Sequence, residues 1–229
     1  MMYKNCKIIS PSQSHKFTFI MLHPMHCDAS YFNDFLCYFE NIKNNNINFK
    51  AIKFIFPEAS IMGIDYPNNK LDNIQSWYNY YTCYDNINKI DKISVDDFEK
   101  SSMNVVNIVY NEAYILNNFK KIYIIGISQG GTLLFNILNK LPRNIGGLFV
   151  IKSIYMDKYI KLKKNTKTPI YIYSGSKDSI YSLKFQKKCL KKLKNYKLYH
   201  TIIKDLDHFS IEIYENDFII NSFLNTLIK

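Results

Sequence analysis

The sequence of 229 residues contains one arginine, Arg143, although lysine is abundant and the net charge is +11. Arginine is the residue best suited to bidentate phosphate contacts. Its scarcity, together with enrichment of Lys, Asn, Ile and Tyr throughout the chain, favours the base composition of an AT-rich genome as the origin of the charge. We therefore expect no nucleic-acid partner. A functional basic face, suited to peripheral contact with an anionic membrane, is the alternative.

Long apolar runs are also missing, and none approaches the roughly 20 residues needed to cross a bilayer. The first fifteen residues lack the basic and apolar progression of a signal peptide. The five cysteines are scattered: Cys6, Cys27, Cys37, Cys83 and Cys189. Because no two form a C-x-x-C pair, neither a zinc site nor a redox pair is indicated. These absences predict a cytoplasmic protein without a metal or cofactor.

Short apolar runs alternate with amphipathic segments, which predicts an α/β protein with a mostly parallel central sheet and helices on both faces. We expect a single domain over residues 1–229. Two opening strands are predicted at Cys6–Ile9 and Phe17–Leu22, with a hairpin as one arrangement of the pair. Further strands are predicted at Ile52–Phe56, Lys121–Ile125, Gly147–Ile151, Pro169–Ser174 and Leu198–Ile203.

Helical periodicity fills most of the intervals between these strands. Helices are predicted at Tyr31–Ile42 behind a cap at Asp28 or Ser30, from the cap Ser94 with its partner Asp97 to Leu116, from Gly130 to Pro142, at Ile180–Lys194, and around Ile220, Phe223, Leu224 and Leu227. Residues 58–93 show no clear period, and a loop of that length is usually a lid or a binding loop.

One motif, Gly126-Ile127-Ser128-Gln129-Gly130, directly follows a predicted strand and precedes an amphipathic helix. On such a tight turn a serine stands clear of the backbone, while small residues two before and two after it let the chain pass closely. The motif in this context predicts a nucleophile, Ser128, on an α/β-hydrolase fold. A glycine-rich turn with a purely structural role is the alternative.

A nucleophilic serine requires a base and an orienting acid, and α/β-hydrolases supply first the acid and then the base further along the chain. Asp178 follows the predicted strand Pro169–Ser174, and His208 follows the last predicted strand. These two residues are the predicted acid and base. Asp205 and Asp207 are alternatives for the acid, whereas His200 lies inside a predicted strand and is an ordinary surface or core histidine.

The developing oxyanion requires backbone N–H donors that are already in place. One is the N–H group of Gln129, directly after the nucleophile. The other is expected in the loop that follows Phe17–Leu22. Met25 is the candidate there, since Pro24 has no N–H group.

Five segments along the chain carry a further pattern. They are Leu22-His23-Pro24-Met25, Ile55-Phe56-Pro57-Glu58-Ala59, Ser76-Trp77-Tyr78, Gly126-Ile127-Ser128-Gln129-Gly130-Gly131 and Ser174-Gly175-Ser176-Lys177-Asp178-Ser179-Ile180. Together they resemble the acyl-protein thioesterase, lysophospholipase and carboxylesterase group of small α/β-hydrolases over nearly the whole chain. The chain departs from that group at Pro24, where the group has glycine, and at Ser174, where the acid turn has histidine.

The resemblance implies hydrolysis of ester or thioester bonds to acyl groups through an acyl-enzyme intermediate. Its implied substrates are an acylated protein, a lysophospholipid or a small acyl ester. The implied triad is Ser128, Asp178 and His208, and the implied substrate-binding residues are Trp77, Ile61 and Met62. The 60–75 loop, with Ile61, Met62, Ile64 and Tyr66, is implied to border an acyl channel, and ordinary packing under a loop is the alternative for these four residues. A peptidase, a dienelactone-type hydrolase and a non-catalytic lipid- or membrane-surface-binding protein on the same fold are the alternatives.

Overall fold

The structure, a computed structural model, describes residues 5–41, 49–83, 89–163, 167–210 and 213–227. Its strands are β1 Cys6–Ile9, β2 Phe17–Leu22, β3 Ile52–Pro57, β4 Ser60–Tyr66, β5 Asn69–Ser76, β6 Ile122–Ile127, β7 Gly147–Ile151, β8 Ile170–Gly175 and β9 Leu198–Ile203. Its α-helices are α1 Asn33–Asn41, α2 Val95–Ile115, α3 Gln129–Lys140, α4 Leu183–Leu190 and α5 Ile213–Leu227. The predicted alternation of strands and helices is confirmed, with small shifts at the ends of elements.

Seven strands form one sheet in the order β1-β3-β2-β6-β7-β8-β9. Only β1 runs antiparallel to its neighbour; the other pairs in this sheet are parallel. The inner strands are buried along almost their whole length, as expected for a parallel sheet covered on both faces. Because these strands run in one direction, the residues that follow them all emerge at one edge of the sheet.

The predicted hairpin of the first two strands is wrong, because β3 lies between them. Ile55 of β3 pairs with Ile8 of β1 on one side and with Ile20 of β2 on the other. The burial pattern explains this order. Strand β2 is buried on both faces and suits the interior of a parallel sheet, whereas β1 is partly exposed and suits an edge.

The two faces of the sheet are covered by different helices. Helices α2, α3 and α4 pack on one face, and α1 and α5 pack on the other. The side of α2 that faces the core, continued by Leu116 at the C-cap, includes the buried residues Phe98, Ser102, Val105, Val109 and Ala113. Ser94 caps this helix by accepting the N–H of Asp97, but the reciprocal bond of a capping box is replaced, because the Ser94 N–H donates to the carbonyl of Asn79.

The segment predicted as an irregular loop contains the antiparallel hairpin of β4 and β5. Alternate residues Met62, Ile64 and Tyr66 face the core, while those between them are exposed. The sequence does not reveal this alternation for two reasons. The pairing register shifts between Met62 and Ile64, and β5 contains few apolar residues. Beyond the hairpin, an isolated bridge joins Tyr80 and Ile93, and residues 84–88 of the predicted loop lie outside the described residues.

The other predicted helices differ mainly at their ends. A 3-10 turn at Ala29–Phe32 precedes α1, and Asp28, one of the two predicted caps, accepts the N–H of Ser30 at 2.7 Å. The predicted end at Ile42 lies outside the described residues. In α5, Leu227 is more exposed than predicted, so the buried face is formed by Ile220 and Phe223. Within the described ranges, no helix combines the length and apolar character needed to span a bilayer.

We predict that Phe223→Ala lowers the free energy of unfolding by about 3–5 kcal/mol. The Phe223 ring is fully buried and meets Phe17, Phe19 and Tyr123 edge-on at centroid distances of 5.4, 4.9 and 4.8 Å. Leu227→Ala on the same helix is the control and should lower the free energy of unfolding much less, because that side chain is 39% exposed and lies at the end of the helix. Urea unfolding of both variants measures the difference, and equal losses would contradict this account of the core.

Candidate active site

Ser128 occupies the turn between β6 and α3, as the motif predicts. Its backbone adopts φ 52° and ψ −118°, a conformation that is strained for a residue with a side chain. Close approach on either side makes the turn possible. A Cβ atom on Gly126 would lie 2.6 Å from the carbonyl oxygen of Gly130, so only glycine fits. The turn places the Ser128 hydroxyl at the edge of the sheet where the parallel strands end.

A chain of hydrogen bonds links the three residues predicted as a triad. The Oγ atom of Ser128 lies 2.9 Å from Nε2 of His208, and Nδ1 of His208 lies 3.1 Å from both carboxylate oxygens of Asp178. An ionised carboxylate can only accept, so Nδ1 carries the proton and Nε2 is left to accept from the serine. This is the tautomer that a histidine base requires.

Asp178 is fixed by the turn that carries it. The buried carboxylate accepts the backbone N–H groups of Ile180 and Tyr181 at 3.0 and 2.6 Å. Helix α4 starts at Leu183 rather than at Ile180 as predicted, and its cap is Ser182, whose side chain accepts the N–H of Phe185 at 3.4 Å. The ring of Tyr181 packs edge-on against His208 with the centroids 5.5 Å apart.

The alternative acids and base have other partners. Asp205 forms an exposed ion pair with Lys177, and the carboxylate of Asp207 accepts the hydroxyl of Ser179 at 3.0 Å. His200 lies in β9, and its Nε2 is 2.9 Å from Oγ of Ser174. Of the three predicted acids, Asp178 is therefore the one that the structure brings to His208.

The loop after β2 contains a tight turn from Pro24 to Cys27. The N–H of Cys27 donates to the carbonyl of Pro24 at 3.3 Å, and His26, at the third position, has the positive φ of 67° that a type II turn requires there. Met25 is half-buried in this turn. The N–H of Gln129 belongs to the first turn of α3, where N–H groups have no partner within the helix.

His23 anchors this loop from inside the protein. Its buried ring accepts the N–H of Ala59 at Nε2 and donates from Nδ1 to the carbonyl of Pro24, at 3.1 and 2.8 Å. Burial lowers the pKa of His23, which keeps the ring neutral and preserves this pair of bonds. The indole of Trp77 stacks on the ring at 4.9 Å and donates to the His23 carbonyl at 2.8 Å.

The side chain of Gln129 joins the nucleophile turn to the segment containing Trp77. Its carboxamide oxygen accepts the N–H of Trp77 at 3.0 Å, and its nitrogen donates to Oγ of Ser76 and to the carbonyl of Tyr78 at 2.8 and 3.0 Å. All four residues are buried. A continuous set of hydrogen bonds thus runs from the Ser128 turn through Gln129 and Trp77 to the loop that contains Met25.

Comparison with known proteins agrees with this arrangement. A sequence model of the phospholipase/carboxylesterase family matches residues 3–228. The chain belongs to that family. It is accordingly a serine hydrolase that cleaves carboxylic ester or thioester bonds.

Solved structures of low sequence identity share the fold. SOBER1 of Arabidopsis thaliana is 20% identical with a TM-score of 0.76, over 92% of this chain and 99% of its own. Acyl-protein thioesterase 2 of Zea mays is 15% identical with a TM-score of 0.74, over 97% and 98%. The Bacillus cereus carboxylesterase is 10% identical with a TM-score of 0.72, over 96% and 93%. A search of curated protein sequences gave no match.

The three predicted substrate-binding residues of this esterase lie in different surroundings. Met62 is half-buried against the core, whereas Ile61 lies on the opposite side of β4 and is 68% exposed. Trp77 is buried, and its polar contacts are with His23 and Gln129. Contact of these three residues with substrate stays a prediction.

Sequence reasoning missed several residues that hold the site together. It treated His23 only as part of a loop motif, and it did not consider Tyr181, Ser153 or Lys152. The hydroxyl of Ser153 donates to the carbonyl of Ser128 at 2.8 Å. A usable signal was present at one position: Lys152 directly continues the apolar run Gly147–Ile151, where a charged residue is unusual.

We predict that Gly130→Ala lowers kcat/KM for a p-nitrophenyl ester about 100-fold or more, because small displacements of catalytic groups have effects of that order. A Cβ atom there would lie 2.6 and 2.7 Å from the carbonyl oxygens of Leu22 and His23, and must push the loop containing Met25 away from Ser128. Gly63→Ala is the matched control, since its nearest neighbour would be 3.6 Å away. Steady-state kinetics decide the matter, and equal effects of both substitutions would refute the explanation.

Proposed function

We propose that this esterase works through Ser128, His208 and Asp178 by an acyl-enzyme mechanism. Nε2 of His208 takes the hydroxyl proton as Ser128 attacks the carbonyl carbon, and Asp178 stabilises the imidazolium that forms. His208 then protonates the departing alkoxide or thiolate, leaving the acyl group on Ser128. Water, deprotonated by His208, attacks this ester and releases the carboxylic acid. The observation that carries the proposal is the hydrogen-bonded chain from Oγ of Ser128 to the buried carboxylate of Asp178.

We further propose that the backbone N–H groups of Gln129 and Met25 bind the oxyanion of each tetrahedral intermediate. The position of Gln129 at the N-terminus of α3 supports its part, because the helix dipole favours negative charge there. The hydrogen bonds of His23 and Trp77 support the role of Met25, since they fix the loop that carries the Met25 N–H. Fixed donors of this kind need no reorganisation as charge develops.

The proposed substrates are acyl esters or thioesters carried by a protein, a lysophospholipid or a small molecule. Family membership supports this class, and Ile61, Met62 and Trp77 are proposed to contact the acyl group. We also propose that the protein is cytoplasmic. Peripheral contact with anionic membranes is supported by the lysine-rich stretch from Lys184 to Lys204, which contains no acidic residue.

Labelling with a fluorophosphonate tests the mechanism directly, because such a probe reacts with an activated serine. We expect the wild-type protein to be labelled and Ser128→Ala not to be. A panel of p-nitrophenyl acyl esters of graded chain length, assayed on both proteins, then gives the acyl preference. Absence of labelling in folded wild-type protein would overturn the proposal, and peptide cleavage without activity on any acyl ester would assign the site to another hydrolase class.

We predict that Asp178→Asn lowers kcat about 10⁴-fold, because the amide no longer holds His208 in the tautomer that accepts from Ser128. Asp207→Asn is the control. The Asp207 carboxylate accepts the Ser179 hydroxyl and the Phe209 N–H, and the side-chain oxygen of asparagine can accept the same bonds, so kcat of this variant should stay within a few-fold of wild type. Steady-state kinetics of the two variants compare the acids, and a larger loss for Asp207→Asn would reassign the role.

A further inference from the structure

Lys152 is a buried lysine beside the active site. It directly follows β7, its backbone has a positive φ of 45°, and its side chain is 2% exposed. Lysine is almost never buried to this degree without a partner. Its ammonium group forms an ion pair with Glu215, in the first turn of α5, and donates a hydrogen bond to the carbonyl oxygen of Ser210.

The partners of Lys152 lie on the chain segment that follows the proposed base. Ser210 is two residues after His208, and Glu215 lies where α5 begins. On the other side of His208 the loop is anchored by the buried side chain of Leu206, whose carbonyl also accepts the N–H of Lys177 at 3.0 Å. Phe209, directly after His208, is 73% exposed and supplies no such anchor. Lys152 therefore supplies an attachment on the far side of the histidine.

The residues on either side of Lys152 contact the turn that carries Ser128. The N–H of Ser128 donates to the carbonyl of Ile151 at 2.9 Å, and the hydroxyl of Ser153 donates to the carbonyl of Ser128 at 2.8 Å. Residues 151–153 are thus bonded to the turn that presents Ser128 and to the segment that follows His208. The end of β7 therefore helps to set the distance between Ser128 and His208.

We propose that Lys152 is a positioning residue that keeps His208 at hydrogen-bonding distance from Ser128. The proposal rests on the proposed roles of those two residues. Stability is a weak explanation for the pair, because apolar residues of similar volume commonly replace a buried ion pair without loss. A role in positioning His208 is a stronger explanation for the pair. An error of about 1 Å in the placement of a catalytic group can reduce the rate about 100-fold.

A double substitution separates position from stability. Lys152→Met alone leaves the Glu215 carboxylate buried without its cation and should destabilise the protein. Lys152→Met/Glu215→Leu removes both charges and should unfold at a urea concentration nearer that of the wild type. We expect kcat of the double variant, per titrated active site, to stay about 10–100-fold below wild type, with KM for a p-nitrophenyl ester within about twofold. Fluorophosphonate labelling should be slower but reach completion.

The chain offers a matched control at the opposite end of the sheet. Lys53, near the start of β3, pairs with the fully buried Glu112 of α2 at 2.6 Å, far along the strands from Ser128. Lys53→Met/Glu112→Leu should therefore alter stability while leaving kcat per active site within about twofold of wild type.

Two outcomes would overturn the proposal. One is a kcat of Lys152→Met/Glu215→Leu within about twofold of wild type, and the other is an equal loss of kcat in the control pair. If the double variant does not fold, Lys152→Met is assayed at a temperature at which circular dichroism shows it folded, with the same expected losses and the same refutation. Wild-type protein that neither reacts with the probe nor cleaves esters would instead contradict the proposed function itself.

Discussion

The proposed active site depends on the tight passage of the chain around Ser128. A serine with φ 52° and ψ −118° is strained by about 1–3 kcal/mol, and the surrounding structure must hold it there. The restraint comes from backbone packed against backbone. Gly126 approaches Gly130, and Gly130 approaches the end of β2, each too closely for a Cβ atom. Because β2 leads directly into His23, the contacts that force the serine outward also fix the start of the loop that carries Met25.

Hydrogen bonds also join the loops around the proposed triad to one another. The carboxamide of Gln129 binds the Trp77 segment, Trp77 binds the carbonyl of His23, and Ser153 binds the carbonyl of Ser128. Such cross-links are what hold catalytic groups in place before substrate arrives, which is the condition for electrostatic stabilisation of a transition state.

Sequence reasoning predicted the fold, and it selected the three residues of the proposed triad that the structure brings together, because both predictions depend on local or ordered signals. The Gly126–Gly130 motif identifies the turn, and the order of acid before base places Asp178 and His208 behind the last two parallel strands. The β4–β5 hairpin was missed because its alternation is interrupted by a register shift. The start of α4 was misplaced because its cap is Ser182, whose side chain accepts the N–H of Phe185, and the apolar pattern extends across this cap to Ile180. Neither effect appears in a periodicity argument.

Two lysines with ion-pair partners, Lys152 with 2% and Lys53 with 13% of the side chain exposed, change how the charge of this protein is understood. Base composition accounts well for lysines on the surface, where almost any polar residue is tolerated. It does not account for Lys152 and Lys53, because a mutational bias toward lysine would be opposed by the desolvation of an unpaired ammonium group in the interior. Each of these lysines has a buried carboxylate partner on a helix, Glu215 and Glu112, and each pair joins that helix to the sheet. Base composition therefore does not explain these two pairs, and the pair that directly follows β7 lies where it bears on the distance between Ser128 and His208.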